Sequence, residues 1–274
     1  MRKLTAVLLS GSVYFAALAV QPVDAGERGP ALEVQATDPL DAIKQMLKKR
    51  SEETADLQHL SEMVLVPAGE FKMGFASGNE DEQPERAVFL DDFYMDKYEA
   101  TQLQYLSVMG HNPSYFKNCP LCPVEKTTFN EAWAYCSRLN KRLPTEAEWE
   151  KAARGGQDAV YVSEGALPDD YAWYGNNSDQ RTHPVGQKKP NSLGLYDMAG
   201  NVWEWVSDRY DPEYYKYGPA KNPRGSSRGD RVVVRGGAWG YTPDRLRIAY
   251  RESVDPNGRF LNGGFRCAAD RPQK

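Results

Sequence analysis

The chain has 274 residues, with 34 Lys and Arg against 38 Asp and Glu and a formal net charge of −4. That balance argues against nucleic acid as the main partner, which would want a basic face. The length suffices for one large domain with a real core, and 6 Trp, 16 Tyr, 23 Gly and 18 Pro point to a loop-rich fold that packs aromatics.

Arg2 and Lys3 precede an apolar run from Leu4 to Val20, and Val23-Asp24-Ala25 sets small residues at −3 and −1 of a cleavage point. This is a signal-peptide pattern, predicting removal of residues 1–25. The competing reading is a membrane anchor, but the run is about 17 residues and Ser10, Gly11 and Ser12 interrupt it, short for a span. No Cys stands directly after the run, which argues against a bacterial lipoprotein, and no later segment could cross a membrane. The expectation is a periplasmic or secreted protein with no transmembrane anchor after cleavage. All four Cys (119, 122, 136 and 267) lie beyond the cleaved segment. In an exported chain an even count favours disulfides, and sequence alone leaves the pairing open.

Residues 26–62 form an N-terminal extension. Its first part reads as a flexible lead-in; from Asp38 to about Leu60, the spacing of Leu40, Ile43 and Leu47 predicts an amphipathic helix or a broken pair. The domain proper spans residues 63–272. MVLVPAGEFKMG (63–74) alternates like a strand, and VFLDDFYMDKYEAT (88–101) reads as a second strand running into a helix, TQLQYLSVMG. Thr128-Phe-Asn-Glu131 and Thr145-Glu-Ala-Glu148 are capping boxes that open two helices, the second stopped by Gly155 and Gly156. Beyond Gly156, short strands alternate with long Gly, Asn and Pro loops.

KRLPTEAEWEKAARGG (141–156), PNSLGLYDMAGNVWEWVSD (190–208), RVVVRGGAW (231–239) and GGFRCAAD (263–270) resemble, in order, the blocks of the formylglycine-generating enzyme, or sulfatase-modifying factor, family. VPAGEFKMG and DKYEATQLQY fit as well, so the resemblance runs over roughly residues 63–272. It implies an α+β fold related to C-type lectins, with little regular secondary structure. The family's enzymes oxidise a Cys of sulfatase precursors to formylglycine, using two cysteines just after a Gly-Gly-Ser block to hold Cu(I) and O₂. Soft Cu(I) prefers thiolates. Here the matching stretch is RGGAWGYTPDRLRIAYRES: Ala238 replaces the Ser, and no Cys stands between Cys136 and Cys267. Copper and the two-cysteine mechanism are therefore not expected, and the chain resembles the cysteine-lacking, pyoverdine-maturation branch of the family.

The resemblance implies further assignments. Cys136 and Cys267 match a structural disulfide of the family. Cys119-Pro-Leu-Cys122 reads first as a local disulfide, with a redox-active pair or a metal site as alternatives; Pro120 and Pro123 favour an extended loop over the helix N-terminus that a reactive Cys wants. In the family the block matching GLYDMAGNVWEW binds calcium through the side chains at Asp197 and Glu204 and the carbonyls at Gly200 and Val202, and calcium is the expected cofactor, in a structural role. From the residues alone, Asp197 could instead cap a turn and Glu204 pair with an Arg. A second calcium site would draw on Asn176-Asn177-Ser178-Asp179. His59, His111 and His183 are scattered and do not form the His triad of the related sulfoxide synthases. Trp203, Trp239, Tyr241 and Arg245 are candidates to line a substrate groove, since aromatics with Arg make good recognition surfaces; Tyr241, Arg251 and Glu252 are the catalytic candidates. Two functions stay open: a maturation or modification factor acting on an exported peptide or protein, and a non-catalytic module using a lectin-like groove for a peptide, a partner protein or a glycan.

Overall fold

A computed structural model describes residues 58–162 and 168–270, which fall in one compact unit. The predicted signal segment and nearly all of the predicted N-terminal helix lie outside the described residues. Of that helix only residues 58–60 are described, as helix; Leu60 is buried and its carbonyl accepts a hydrogen bond from Gln104 Nε2 at 2.9 Å.

The alternating stretch at 63–74 forms two strands, β1 (Met63–Val66) and β2 (Gly69–Met73), which enter different sheets. Pro67 explains the break: it has no N–H for a ladder. The second predicted strand also divides, into the end of β3 (Arg86–Leu90) and β4 (Phe93–Asp96), at the exposed pair Asp91-Asp92. β2 and β3 pair antiparallel as a two-stranded sheet.

Three helices follow, each opened by a threonine. α1 (Gln102–Met109), α2 (Phe129–Arg138) and α3 (Glu146–Arg154) all carry complete capping boxes, from Thr101, Thr128 and Thr145. The first uses Gln104 as its partner, so a third box stands beside the two read from sequence. Gly110 and Gly155 end α1 and α3 in the left-handed conformation.

After α3 the chain is mostly loop, in line with the sequence. β5 (Trp203–Arg209), a one-turn α4 (Tyr214–Tyr217), β6 (Val232–Arg235), β7 (Glu252–Val254), β8 (Gly263–Gly264) and β9 (Ala268–Ala269) complete the described elements apart from 3₁₀ turns. The main sheet has the order β7-β6-β5-β8, with β8 parallel to β5, and β9 joins β1 and β4 in a third sheet. Cys136 of α2 is bonded to Cys267 just before β9, fixing the second helix to the end of the chain.

α3 lies within the core, and all nine of its residues are buried, charges included. Such charges are tolerable only when paired. Glu146 receives Arg251 through Nε at 2.7 Å and Nη2 at 3.0 Å, and Arg235 Nη1 at 3.1 Å. One turn on, Glu150 accepts from Arg235 Nη2 at 2.7 Å, Arg154 Nη2 at 2.8 Å and the Gly74 N–H at 2.8 Å. Trp149, fully buried between them in sequence, donates from Nε1 to Glu204 on β5 at 2.8 Å.

Candidate functional site

The site begins where β6 runs out. Gly236 and Gly237 have φ of +94° and +75°. A Cβ on Gly237 would meet Leu246 Cδ2 at 2.4 Å and the Arg245 carbonyl at 2.8 Å, so only glycine lets the chain turn here against the following segment. The turn lays Ala238–Tyr241 beside β5. The Trp239 N–H donates to the Asn201 carbonyl at 2.9 Å, and the Tyr241 carbonyl accepts from the Gly175 N–H at 2.8 Å. A 3₁₀ turn at Pro243–Leu246 then returns Arg245 towards Tyr241.

These constraints assemble an aromatic face. Trp203, 4% exposed, is its floor. Tyr241 meets it edge-on with ring centroids 5.5 Å apart, and Tyr250 lies 6.0 Å from it. The Arg245 guanidinium sits 5.3 Å from the centroid of Tyr241 and 5.4 Å from that of Tyr250, a cation–π arrangement. Its Nη1 donates to Glu252 Oε2 at 2.8 Å, and both side chains remain about one-third exposed (35% and 34%). Trp203, Tyr241 and Arg245 of the expected groove thus come together with Glu252, a catalytic candidate. Trp239 continues the face towards a second loop: Phe116 packs edge-on against it at 5.6 Å, beside exposed Tyr115, and its Nε1 donates to the carbonyl of exposed Leu261. Tyr250 and Phe116 were not singled out by sequence reasoning: Tyr250 stands near the end of the quoted stretch and Phe116 far outside it, and only the fold brings the two rings to this face. The face is separate from a cavity of about 400 Å³ bounded by Val66, Phe71, Lys151, Gly155 and Leu193, which includes none of these residues.

Arg251 does not belong to the face, which corrects its place among the catalytic candidates. It is 3% exposed, holds Glu146 with two nitrogens, and lies 4.4 Å from the Tyr215 ring centroid. Neighbours along an extended chain point to opposite sides, so Glu252 faces outward as Arg251 turns into the core.

The acidic block 197–204 packs beneath this region. Glu204 is held at both oxygens by Arg266, Nε to Oε2 and Nη2 to Oε1 at 2.8 Å each, and Oε2 also accepts from Trp149. Asp197 Oδ2 accepts from the Gly186 N–H at 2.8 Å, while Oδ1 is buried with no hydrogen-bond partner. Burial pushes the Asp197 carboxyl up to about 6, partly offset by that N–H and by Arg266. A third buried carboxylate, Glu99, accepts from Asn201 Nδ2 at 2.6 Å and from the Val202 N–H at 3.1 Å, and burial raises it well above the usual range. Gly200 turns at φ +78°, where a Cβ would strike the Trp173 carbonyl at 2.2 Å. Three carboxylates therefore gather around Arg266, yet among the described residues no three His, Cys, Asp or Glu side chains are placed to hold one metal ion. A calcium ion here would rest on Asp197 Oδ1 and on backbone carbonyls such as those of Gly200 and Val202, with Glu204 already committed to Arg266. The 176–179 segment already uses its side chains within the fold: Asn177 Oδ1 accepts from the Tyr174 N–H and the Ser178 hydroxyl donates to the Trp239 carbonyl. The three His stand in separate settings, beside Tyr98 (His59), Tyr105 (His111) and Trp173 (His183).

All four Cys are in disulfides, Cys119–Cys122 and Cys136–Cys267, which leaves no free thiol. Among the described residues no helix is long and apolar enough to cross a membrane.

The family model for the sulfatase-modifying factor enzyme 1-like domain matches residues 48–271. The chain belongs to this family, whose fold is the formylglycine-generating-enzyme-like, C-type-lectin-like one, and the match begins inside the segment that sequence reading set apart as an extension. It is 33% identical over 257 residues to the serine/threonine-protein kinase pkn1 of Chlamydia pneumoniae, covering 82% of this chain and 40% of the relative. The chain thus spans about two-fifths of that protein's length. It is 33% identical over 267 residues to the chaperone protein LppX of Paenibacillus barcinonensis, covering 75% of this chain and 88% of the other. Among solved structures, PvdO from Pseudomonas aeruginosa superposes with a TM-score of 0.68 at 28% identity, over 76% of this chain and 94% of that one.

Proposed function

We propose that this protein is a maturation or modification factor that takes hold of a polypeptide on the aromatic face of Trp203, Trp239, Tyr241 and Arg245. The observation that carries the reading is the face itself. The family's site block keeps its turn, its aromatics and a partly exposed Arg245–Glu252 pair, while both cysteine positions of the copper chemistry are gone. Rigid aromatics with an arginine are the residue types that dominate polypeptide recognition. A relative named a chaperone protein, covered over most of its length, supports a client that is itself a protein. The two disulfides support work in an oxidising compartment such as the periplasm or the exterior.

A photo-crosslinking residue at Tyr241 tests this reading in producing cells. The captured partner, compared between cells with and without the chain, should differ in mass or in protease resistance. A partner unchanged in both would contradict maturation and favour the second reading, a lectin-like binding module.

The purified protein should neither bind Cu(I) tightly nor oxidise a Cys-x-Pro-x-Arg sulfatase peptide with O₂ and copper. Product formylglycine in that assay would refute the assignment.

Calcium is part of the proposal as a structural ion, supported by the orphaned Asp197 Oδ1. A ligand bound only by the folded state raises the melting temperature in a saturable way. Chelator should lower the melting temperature, calcium should restore it, and Asp197→Ala should abolish the dependence. An unchanged melting temperature would leave Asp197 and Glu204 as parts of the Arg266 network alone.

A further inference from the structure

We infer that Cys119–Cys122 is an exchangeable disulfide, through which the protein passes oxidising equivalents to or from the thiols of another polypeptide. The two bridges of this fold are built differently. Cys136–Cys267 spans 131 residues between two fully buried Cys, whereas Cys119–Cys122 spans 3. Opening the short loop returns little chain entropy, so the fold tolerates its reduction. The pair is also asymmetric. Cys119 is partly exposed and Cys122 is 1% exposed. An incoming thiolate therefore reaches Cys119.

The surroundings suit the leaving sulfur. The Cys-Pro-Leu-Cys loop is docked on the N-terminus of α1, whose Gln102 and Leu103 N–H groups donate to the carbonyls of Cys122 and Pro120 at 2.9 Å. Cys122 Sγ lies 3.7 Å from the Thr182 carbonyl, an acceptor for the thiol once it is protonated. Phe116, three positions before Cys119 in sequence, packs against Trp239 of the aromatic face.

The exchange balances. A partner thiolate attacks Cys119 Sγ, forming a mixed disulfide and expelling Cys122 as thiolate, which takes up a proton. A second partner thiolate then attacks the partner sulfur of that bond and releases Cys119. The partner's two thiols lose two electrons and two protons, and the cysteine pair gains them. Reoxidation is the same exchange with a more oxidising disulfide.

The test needs no knowledge of what binds the aromatic face. The full chain is equilibrated in glutathione buffers of graded ratio, and each Cys is assigned by alkylation and mass spectrometry. The Cys119–Cys122 pair should open and close reversibly while Cys136–Cys267 stays closed. Cys122→Ser should collect glutathione on Cys119, and the wild-type pair should oxidise a dithiol peptide at least about tenfold faster than the excised peptide 117–124 does, because the fold holds Cys119 open to the incoming thiolate. If the pair opens only together with Cys136–Cys267, or exchanges no faster than the excised peptide, the bridge is structural and the inference fails.

Discussion

Replacing Glu146 with Ala should destabilise the protein by about 3–5 kcal/mol, the loss typical of a buried ion pair stripped of one partner. Arg235 and Arg251, with side chains 0% exposed, both lean on this carboxylate. Burial alone would raise the Glu146 pKa; Arg251 and Arg235 overcome it and hold the carboxyl below the usual range. Its contribution is thus complete above the ordinary carboxylate pKa and is lost as the pH falls through the lowered value. In the variant two guanidinium groups remain in the core with no countercharge at this position. Arg235 would keep Glu150 and the carbonyls of Ile248 and Ala249, whereas Arg251 would keep only carbonyls. Denaturant unfolding of the purified variant, or its failure to accumulate as folded protein, reads the effect. A loss under about 1 kcal/mol, the range of surface pairs, would mean the network is not held dry.

Removing the long bridge should have a comparable effect. The chain-entropy relation gives about 5 kcal/mol for a loop of this length and about 2 kcal/mol for a loop as short as that of Cys119–Cys122. The double variant Cys136→Ala/Cys267→Ala should therefore lose more than twice the stability lost by Cys119→Ala/Cys122→Ala, in matched denaturant titrations. Use of double variants avoids leaving a lone thiol. Equal losses would show that local packing, not closure of the 131-residue separation, sets the contribution of the bridge.

Much of this fold is local in origin and so could be read from the chain. Thr128 with Glu131, and Thr145 with Glu148, start helices because both partners lie within one turn. Gly236-Gly237 announces a turn that no side chain could make. What escaped the sequence was long-range pairing. Arg251 beside Glu252 looks like a polar site pair until Glu146, 105 residues away, claims it for the core. Glu204 reads either as a calcium ligand or as the partner of an arginine, and only the fold shows that Arg266, 62 residues on, holds both of its oxygens. Tyr250 joins the aromatic face only because the chain from Gly237 to Tyr250 curls back over Trp203. The strand at 63–74 was misjudged for a local reason: alternation hid the break at Pro67.

The central claim is that the aromatic face, and not the cavity beside Lys151, recognises a polypeptide. Peptides selected on the immobilised wild-type protein from a displayed library, then titrated against variants, test it most directly. Arg245→Ala with Tyr241→Ala should weaken binding by roughly a hundredfold or more, the scale of a lost recognition centre, while the melting temperature stays near that of the wild type. A substitution in the cavity wall, Leu193→Ala, should leave affinity unchanged. Selected peptides that bind the double variant as tightly as the wild type, or that lose affinity only with Leu193→Ala, would contradict the account.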